Sequence, residues 1–131
     1  MSQDTIANLL SSLKNAYVAG KREANLPFSK PNLTLVKILV AEGYLAEVSK
    51  ISTQDGHEQL GVRLNSSKDG KVIGNIRRLS RPGIRLYSSA QDLRPSNRRL
   101  GIVIVSTSKG LMTSREAVKK NLGGELVCRI W

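Results

Sequence analysis

The chain has 131 residues, and its 21 lysines and arginines outnumber its 10 aspartates and glutamates, giving a formal net charge of +11. Hydrophobic residues make up 40% of it, enough to build one domain or two small ones. No apolar span of about 18 residues and no basic-then-apolar N-terminus is present, so we expect a soluble protein without membrane segment or cleavable signal. The single cysteine, Cys128, lies in an apolar run and excludes an internal disulfide.

The N-terminal half predicts helices packed on one face of a small antiparallel sheet. Apolar residues recur on one helical face at Ile6, Leu9, Leu10, Leu13 and Tyr17. In chain order we predict a helix from the N-cap Asp4 to Gly20, a strand over 23–26, a helix from Ser29 to Gly43, and strands over 44–52 and 58–65 joined at Asp55-Gly56.

The C-terminal half predicts a mainly antiparallel β domain with one short helix, beginning after the polar stretch at residues 66–70. The predicted elements are strands over 72–79 and 84–87 around a type II Pro82-Gly83 turn, a strand over 102–105 that is buried on both faces, a helix from the N-cap Thr113 to Asn121, and a strand over 125–130. The predicted fold is therefore α+β, with two small domains spanning residues 1–66 and 67–131.

The charge is unevenly divided between these halves. Residues 1–66 hold seven basic and six acidic side chains, whereas residues 67–131 hold fourteen basic and four acidic ones. Solubility alone does not require such asymmetry. Clustered basic side chains do, however, strengthen binding to a polyanion, because each phosphate contact releases counterions. Nucleic acid is the partner that this distribution predicts.

A polar segment after the buried strand carries the most specific signal. Hydroxyl groups can read ribose hydroxyls and base edges, a lysine suits a phosphate, and a glycine permits close backbone approach or a turn with positive φ. The segment is Ser106, Thr107, Ser108, Lys109 and Gly110. Nearby, strand alternation places Arg85 and Tyr87 on one outward face, with Arg81 beside them, as a stacking and phosphate pair.

These segments together resemble the eighth protein of the small ribosomal subunit, bacterial type. The resemblance is carried by residues 80–83, 101–113, 115–117 and 123–125, and it extends to the N-terminus through residues 4–7, 15–16, 29–30 and 42–44. It covers essentially the whole chain. Arg99, Ser114 and Val118 depart from the family's usual residues, which suggests a divergent lineage such as an organellar ribosome.

The resemblance implies a structural protein of the small ribosomal subunit that binds the central domain of the subunit's RNA early in assembly, beside neighbouring ribosomal proteins. It implies a principal RNA contact at residues 106–110, with Arg85, Tyr87 and Glu125 at or beside that surface. A second contact would include Asp4, Thr5, Ser29 and Lys30. Bacterial members also repress translation of their own messenger RNA. No cofactor, metal, membrane or small-molecule substrate is implied, and the site of action is a bacterial or organellar ribosome.

Two other classes of function fit less well. An enzyme would need Lys109 desolvated beside Ser106 or Ser108, but this lysine follows a polar loop in a strongly basic half. A DNA-binding protein that reads the major groove would need a basic helix face, but the second helix shows only Lys30 and Lys37. We therefore predict a non-enzymatic protein that binds structured RNA.

Overall fold

The computed structural model describes residues 3–65, 70–93 and 101–131, with the backbone alone at residues 3 and 4. These residues form two compact units, Met1–Ile73 and Gly74–Trp131. The predicted boundary after residue 66 falls at residues outside the described part of the chain. The elements in chain order are α1 (Gln3–Val18), β1 (Glu23–Pro27), α2 (Lys30–Ala41), β2 (Leu45–Ser52), β3 (Glu58–Leu64), β4 (Ile76–Arg78), β5 (Tyr87–Ser88), β6 (Ile102–Thr107), β7 (Gly110–Thr113), α3 (Ser114–Lys119) and β8 (Gly124–Ile130).

The N-terminal unit packs α1 and α2 on one face of an antiparallel sheet with strand order β1-β3-β2. Four residues of the apolar stripe predicted for α1 are buried and the fifth, Tyr17, is half-buried; the inward-facing leucines of α2 and β3 are buried as well. The fully buried leucines of this core are Leu9, Leu13, Leu26, Leu35, Leu39 and Leu60. Because the helices cover only one face, the other face of this sheet is open to solvent.

Local sequence signals set the ends of α2. Ser29 is the N-cap and its hydroxyl accepts a hydrogen bond from the Asn32 N–H at 3.1 Å, and Pro31 lies in the first turn. Gly43 follows the helix with a φ of +87°. The predicted N-cap of α1 is wrong, because the backbone is already helical at Gln3 and Asp4 lies inside the helix.

The C-terminal unit is an antiparallel sheet with strand order β4-β8-β6-β7, and β5 also pairs with β8. On one face, α3 and the β6-β7 hairpin enclose a cluster of buried side chains, namely Leu93, Val105, Met112 and Ala117. Ile102 and Ile104 point to the opposite face of β6 from Val105, and they are buried as well. The prediction of a strand buried on both faces is thereby confirmed, as is the α+β fold.

Two predicted elements of this unit are shorter in the structure. The strand expected over 72–79 is regular only at β4, because the N–H groups of Gly74 and Asn75 both donate to the Trp131 carbonyl oxygen rather than to a ladder. The final helix ends at Lys119 instead of Asn121, whose φ is +55°. Thr113 is its N-cap as predicted and accepts from the Glu116 N–H at 3.2 Å.

Candidate nucleic-acid interface

The polar segment predicted to bind RNA forms the tip of the β6-β7 hairpin. Thr107 pairs with Gly110, and Ser108 and Lys109 make the turn between them. Neither Ser108 nor Lys109 has a positive φ, whereas the following Gly110 has a φ of +107°. A hairpin turn without positive φ at its central residues is here followed by a glycine of positive φ. The glycine predicted to adopt positive φ at this position is confirmed.

The hydroxyl of Thr107 fastens this turn. It donates to the Gly110 carbonyl oxygen at 2.9 Å and accepts from the Lys109 N–H at 3.1 Å. A hydroxyl has one proton, so Thr107 has none left to donate to a ligand. Its contribution to the tip is to hold the shape, a role that sequence analysis did not separate from that of its neighbours.

The two serines on either side of Thr107 are differently placed. Throughout the described part of the chain, neither the Ser106 nor the Ser108 hydroxyl has a hydrogen-bond partner. Ser108 and Lys109 are exposed and Ser106 is half-buried. The tip therefore presents two uncommitted hydroxyl groups and one cation on a fixed turn, which is a pre-organised polar surface.

Pairing across the sheet extends this surface to residues distant in sequence. Glu125 on β8 lies opposite Ser106 on β6 and opposite Tyr87 on β5. Directly paired residues of an antiparallel sheet point to the same face, so Tyr87, Glu125 and Ser106 form one row. Tyr87 is 70% exposed, while the Glu125 side chain is only 14% exposed.

Arg85 joins the same row through an ion pair. Its Nη1 lies 3.5 Å from Oε2 of Glu125. The acidic side chain thus lies between an aromatic ring and a serine, with a guanidinium against it. The side chains around Glu125 are of types suited to phosphate, base and ribose contacts. The fold thus places Arg85, Tyr87, Glu125 and the hairpin tip, all of them predicted RNA contacts, next to one another.

Adjacent glycines allow β8 to support both flanking strands. A Cβ atom on Gly123 would lie 2.5 Å from the Ser88 carbonyl oxygen of β5, and one on Gly124 would overlap the Ser106 carbonyl oxygen of β6. The row needs this close approach because its members belong to three different strands. The Gly-Gly pair was visible in the sequence, but its packing role was not.

Backbone hydrogen bonds and a buried serine hydroxyl hold the loop that carries Arg81 and Arg85. Arg81 and Ile84 exchange N–H to carbonyl bonds of 2.8 and 3.0 Å. The hydroxyl of Ser80, which is 1% exposed, accepts from the Leu86 N–H at 2.9 Å and donates to the Leu86 carbonyl oxygen at 3.3 Å. Ser80 therefore positions this loop, and sequence analysis missed it because its burial arises only on folding.

Two predictions for this loop are wrong. Gly83 does not have a positive φ, so the turn is not type II. The strand expected over 84–87 is limited to β5, and its supposed inward residues, Ile84 and Leu86, are 66% and 41% exposed. The loop bonds to itself through Arg81 and Ser80, which removes it from the pleat that alternation assumes.

The second group of predicted contacts belongs to the N-terminal unit. Ser29 caps α2 and Lys30, the first residue of the helix, is exposed. Thr5 is half-buried in the first turns of α1, and the side chain of Asp4 lies outside the described part. The Ser29 hydroxyl accepts one bond from the helix and keeps its proton for donation.

Between residues 3 and 131, the two gaps apart, no three of His, Cys, Asp and Glu are grouped to hold a metal ion. In the same part, no helix is both long and apolar enough to cross a membrane. Burial raises the pKa of the Cys128 thiol to about 12, so this cysteine is a poor nucleophile.

The chain is similar to known proteins over nearly its whole length. A family model described as ribosomal protein S8 matches residues 4–131. The chain is 40% identical over 128 residues to small ribosomal subunit protein uS8 of Psychromonas ingrahamii, covering 98% of this chain and 97% of the relative. It is 42% identical over 125 residues to uS8 of Nitrosomonas eutropha, covering 95% of each, and 38% identical over 138 residues to uS8c of Morus indica, covering all of both.

Proposed function

The chain belongs to the ribosomal protein S8 family, and from this membership we propose that it is a structural constituent of the small ribosomal subunit that binds the central domain of the subunit's RNA and supports assembly. This is a family of ribosomal proteins and not of enzymes. Its relatives come from bacteria and plants, so the protein acts in a bacterial or an organellar ribosome.

The structural observation that supports RNA binding is the row of Tyr87, Glu125 and Ser106 beside the hairpin tip. Ser106 and Ser108 donate to and accept from base edges or 2′-hydroxyl groups, and Lys109 neutralises a phosphate. Tyr87 offers an exposed ring for stacking, and Arg85 a planar cation. The contacts come from strands and turns, which suits an irregular RNA helix better than the major groove of DNA.

We further propose that residues 67–131 carry most of the affinity, because fourteen of the 21 basic residues lie there. Removing one cation that binds a phosphate should reduce the slope of log affinity against log salt by about 0.7–0.9. Arg81→Gln should therefore make the salt dependence shallower. Lys37→Gln, an exposed site on α2 outside the proposed contacts, is the matched control and should leave the slope unchanged.

Chemical footprinting of purified small-subunit RNA, with and without the protein, tests the function directly. Protection confined to one irregular helix of the central domain is the expected result, and protection spread over unrelated helices contradicts it. A competitor RNA carrying the beginning of the protein's own message tests the repressor role. Repression would use the same protein surface as ribosomal RNA binding. The messenger RNA should therefore displace the ribosomal RNA if the protein is a repressor, and should fail to displace it otherwise.

A further inference from the structure

The open face of the N-terminal sheet carries a groove that the proposed RNA contacts do not use. The groove encloses about 130 Å³, and its lining includes Glu23, Asn25, Glu47, Ser49, Gly61 and Arg63. Register places these residues in two adjacent rows across the three strands: Glu23, Arg63 and Glu47, then Asn25, Gly61 and Ser49. All of them are exposed or half-buried.

The absence of a side chain at Gly61 leaves room in the groove that the Ile51 side chain partly occupies. Gly61 lies in the middle strand, between Asn25 and Ser49, so a side chain there would stand in the centre of the groove. A Cβ atom at this position would lie 2.5 Å from Cδ1 of Ile51. The Ile51 side chain therefore extends over Gly61, and the floor consists of its aliphatic atoms beside the Gly61 backbone, a surface against which a planar group can lie.

The groove is acidic in a strongly basic protein. Arg63 lies between two glutamates, but its Nη2 pairs with Oε1 of Glu47 at 3.1 Å. In the part of the chain that the structure describes, the Glu23 carboxylate has no cationic partner. The row therefore keeps one uncompensated negative charge, and the amide oxygen of Asn25 and the hydroxyl of Ser49 add acceptors beside it.

These features select a cation and reject RNA. A phosphate would meet an unpaired carboxylate, and the lining residues include no aromatic ring on which a base could stack. A guanidinium group is planar and carries five N–H donors, so its face can lie on the aliphatic Ile51 floor while its edge donates to the surrounding carboxylate, amide and hydroxyl oxygens. We propose that this groove docks an arginine side chain presented by another protein of the assembled subunit.

The first test uses the full-length protein and the blocked tripeptide acetyl-Gly-Arg-Gly-amide, followed by amide chemical shifts. Saturable shifts should centre on Asn25, Ser49 and Gly61 and be absent with acetyl-Gly-Glu-Gly-amide. Glu23→Gln should weaken binding about two- to five-fold, the factor that a solvent-exposed ion pair contributes. Glu58→Gln is the matched control, since Glu58 pairs with Lys50 outside the groove and should leave binding unchanged. The proposal is overturned if the shifts do not saturate, or if Glu23→Gln binds the arginine peptide as tightly as the parent.

The second test identifies the partner in assembled subunits. Ser49→Cys can be labelled with a benzophenone maleimide because the native Cys128 is buried and has a raised pKa. Crosslinking to an arginine-containing segment of another protein supports the inference. Crosslinking to RNA, to a second copy of this chain or to a segment without arginine, or no crosslinking at all, overturns it. Ser11→Cys, at an exposed position of α1, should not give the same crosslink.

Discussion

The Thr107 hydroxyl donates to the Gly110 carbonyl oxygen at 2.9 Å and ties the two ends of the β6-β7 turn together. The same hydroxyl oxygen accepts from the Lys109 N–H. Thr107→Val keeps the volume but removes both bonds, and should lower the free energy of unfolding by about 1 kcal/mol. It should also weaken binding to the cognate RNA, because the turn is no longer fixed.

Urea denaturation and RNA titration measure the two effects of Thr107→Val. Thr107→Ser retains the hydroxyl and should restore most of both. If the valine variant bound RNA as tightly as the parent, the side chain would not be holding the tip in its binding conformation.

Ser108 and Lys109 should contribute differently to RNA binding. A base edge or 2′-hydroxyl matched to Ser108 loses its partner in Ser108→Ala, which costs about 1–3 kcal/mol at the cognate site. Lys109→Ala should weaken binding to cognate RNA and to a regular duplex by similar factors, and make the salt dependence shallower. Titrations of both variants against both RNAs at two salt concentrations distinguish these two roles. Equal losses for Ser108→Ala on the two RNAs would contradict its role in discrimination.

Alanine at two turn glycines should have opposite effects. Gly110 has a φ of +107°, where a Cβ atom is strained, so Gly110→Ala should destabilise the protein by about 1 kcal/mol or more. Gly83 lacks a positive φ and a Cβ there would meet nothing within 4 Å. Gly83→Ala should be neutral or stabilise by about 0.4–1 kcal/mol through the unfolded chain. Thermal melts of the pair provide the comparison, and a lower melting temperature for Gly83→Ala would refute this turn geometry.

Gly124→Ala should damage stability and the site together. The added methyl group would overlap the Ser106 carbonyl oxygen, which belongs to backbone and cannot rotate away. Overpacking of this kind costs about 1–3 kcal/mol. Strands β6 and β8 would separate at Ser106 and Glu125, so cognate RNA binding should fall even at temperatures where the variant is folded. Alanine at Gly56, where a Cβ meets nothing within 4 Å although φ is +82°, serves as a control for backbone strain without collision.

The buried Cys128 thiol should make stability decrease at high pH. Burial raises the pKa of this thiol from 9 to about 12, so the folded protein favours the neutral form. Its contribution to stability is complete below pH 9 and is lost progressively as the pH rises toward 12. The difference in unfolding free energy between the parent and Cys128→Val should shift in this window. A constant difference would show that the thiol ionises as easily in the folded state as in the unfolded one.

The sequence alone determined the features that depend on neighbouring residues. The N-caps Ser29 and Thr113 act within one helical turn of their partners, and the apolar stripe of α1 follows from helical periodicity. The positive φ of Gly110 likewise follows from a turn of a few residues. The family resemblance rested on such local blocks, and the family is confirmed.

How residues distant in sequence combine depends on the tertiary structure. Tyr87, Glu125 and Ser106 share a row because β8 pairs with β5 on one side and β6 on the other, and register across strands is a long-range property. The same reason explains the failures at Gly83 and over 84–87, where hydrogen bonds from Ser80 and Arg81 override the alternation that the sequence predicts. Local signals fix where elements begin and end, whereas burial and strand pairing exist only once the chain has folded.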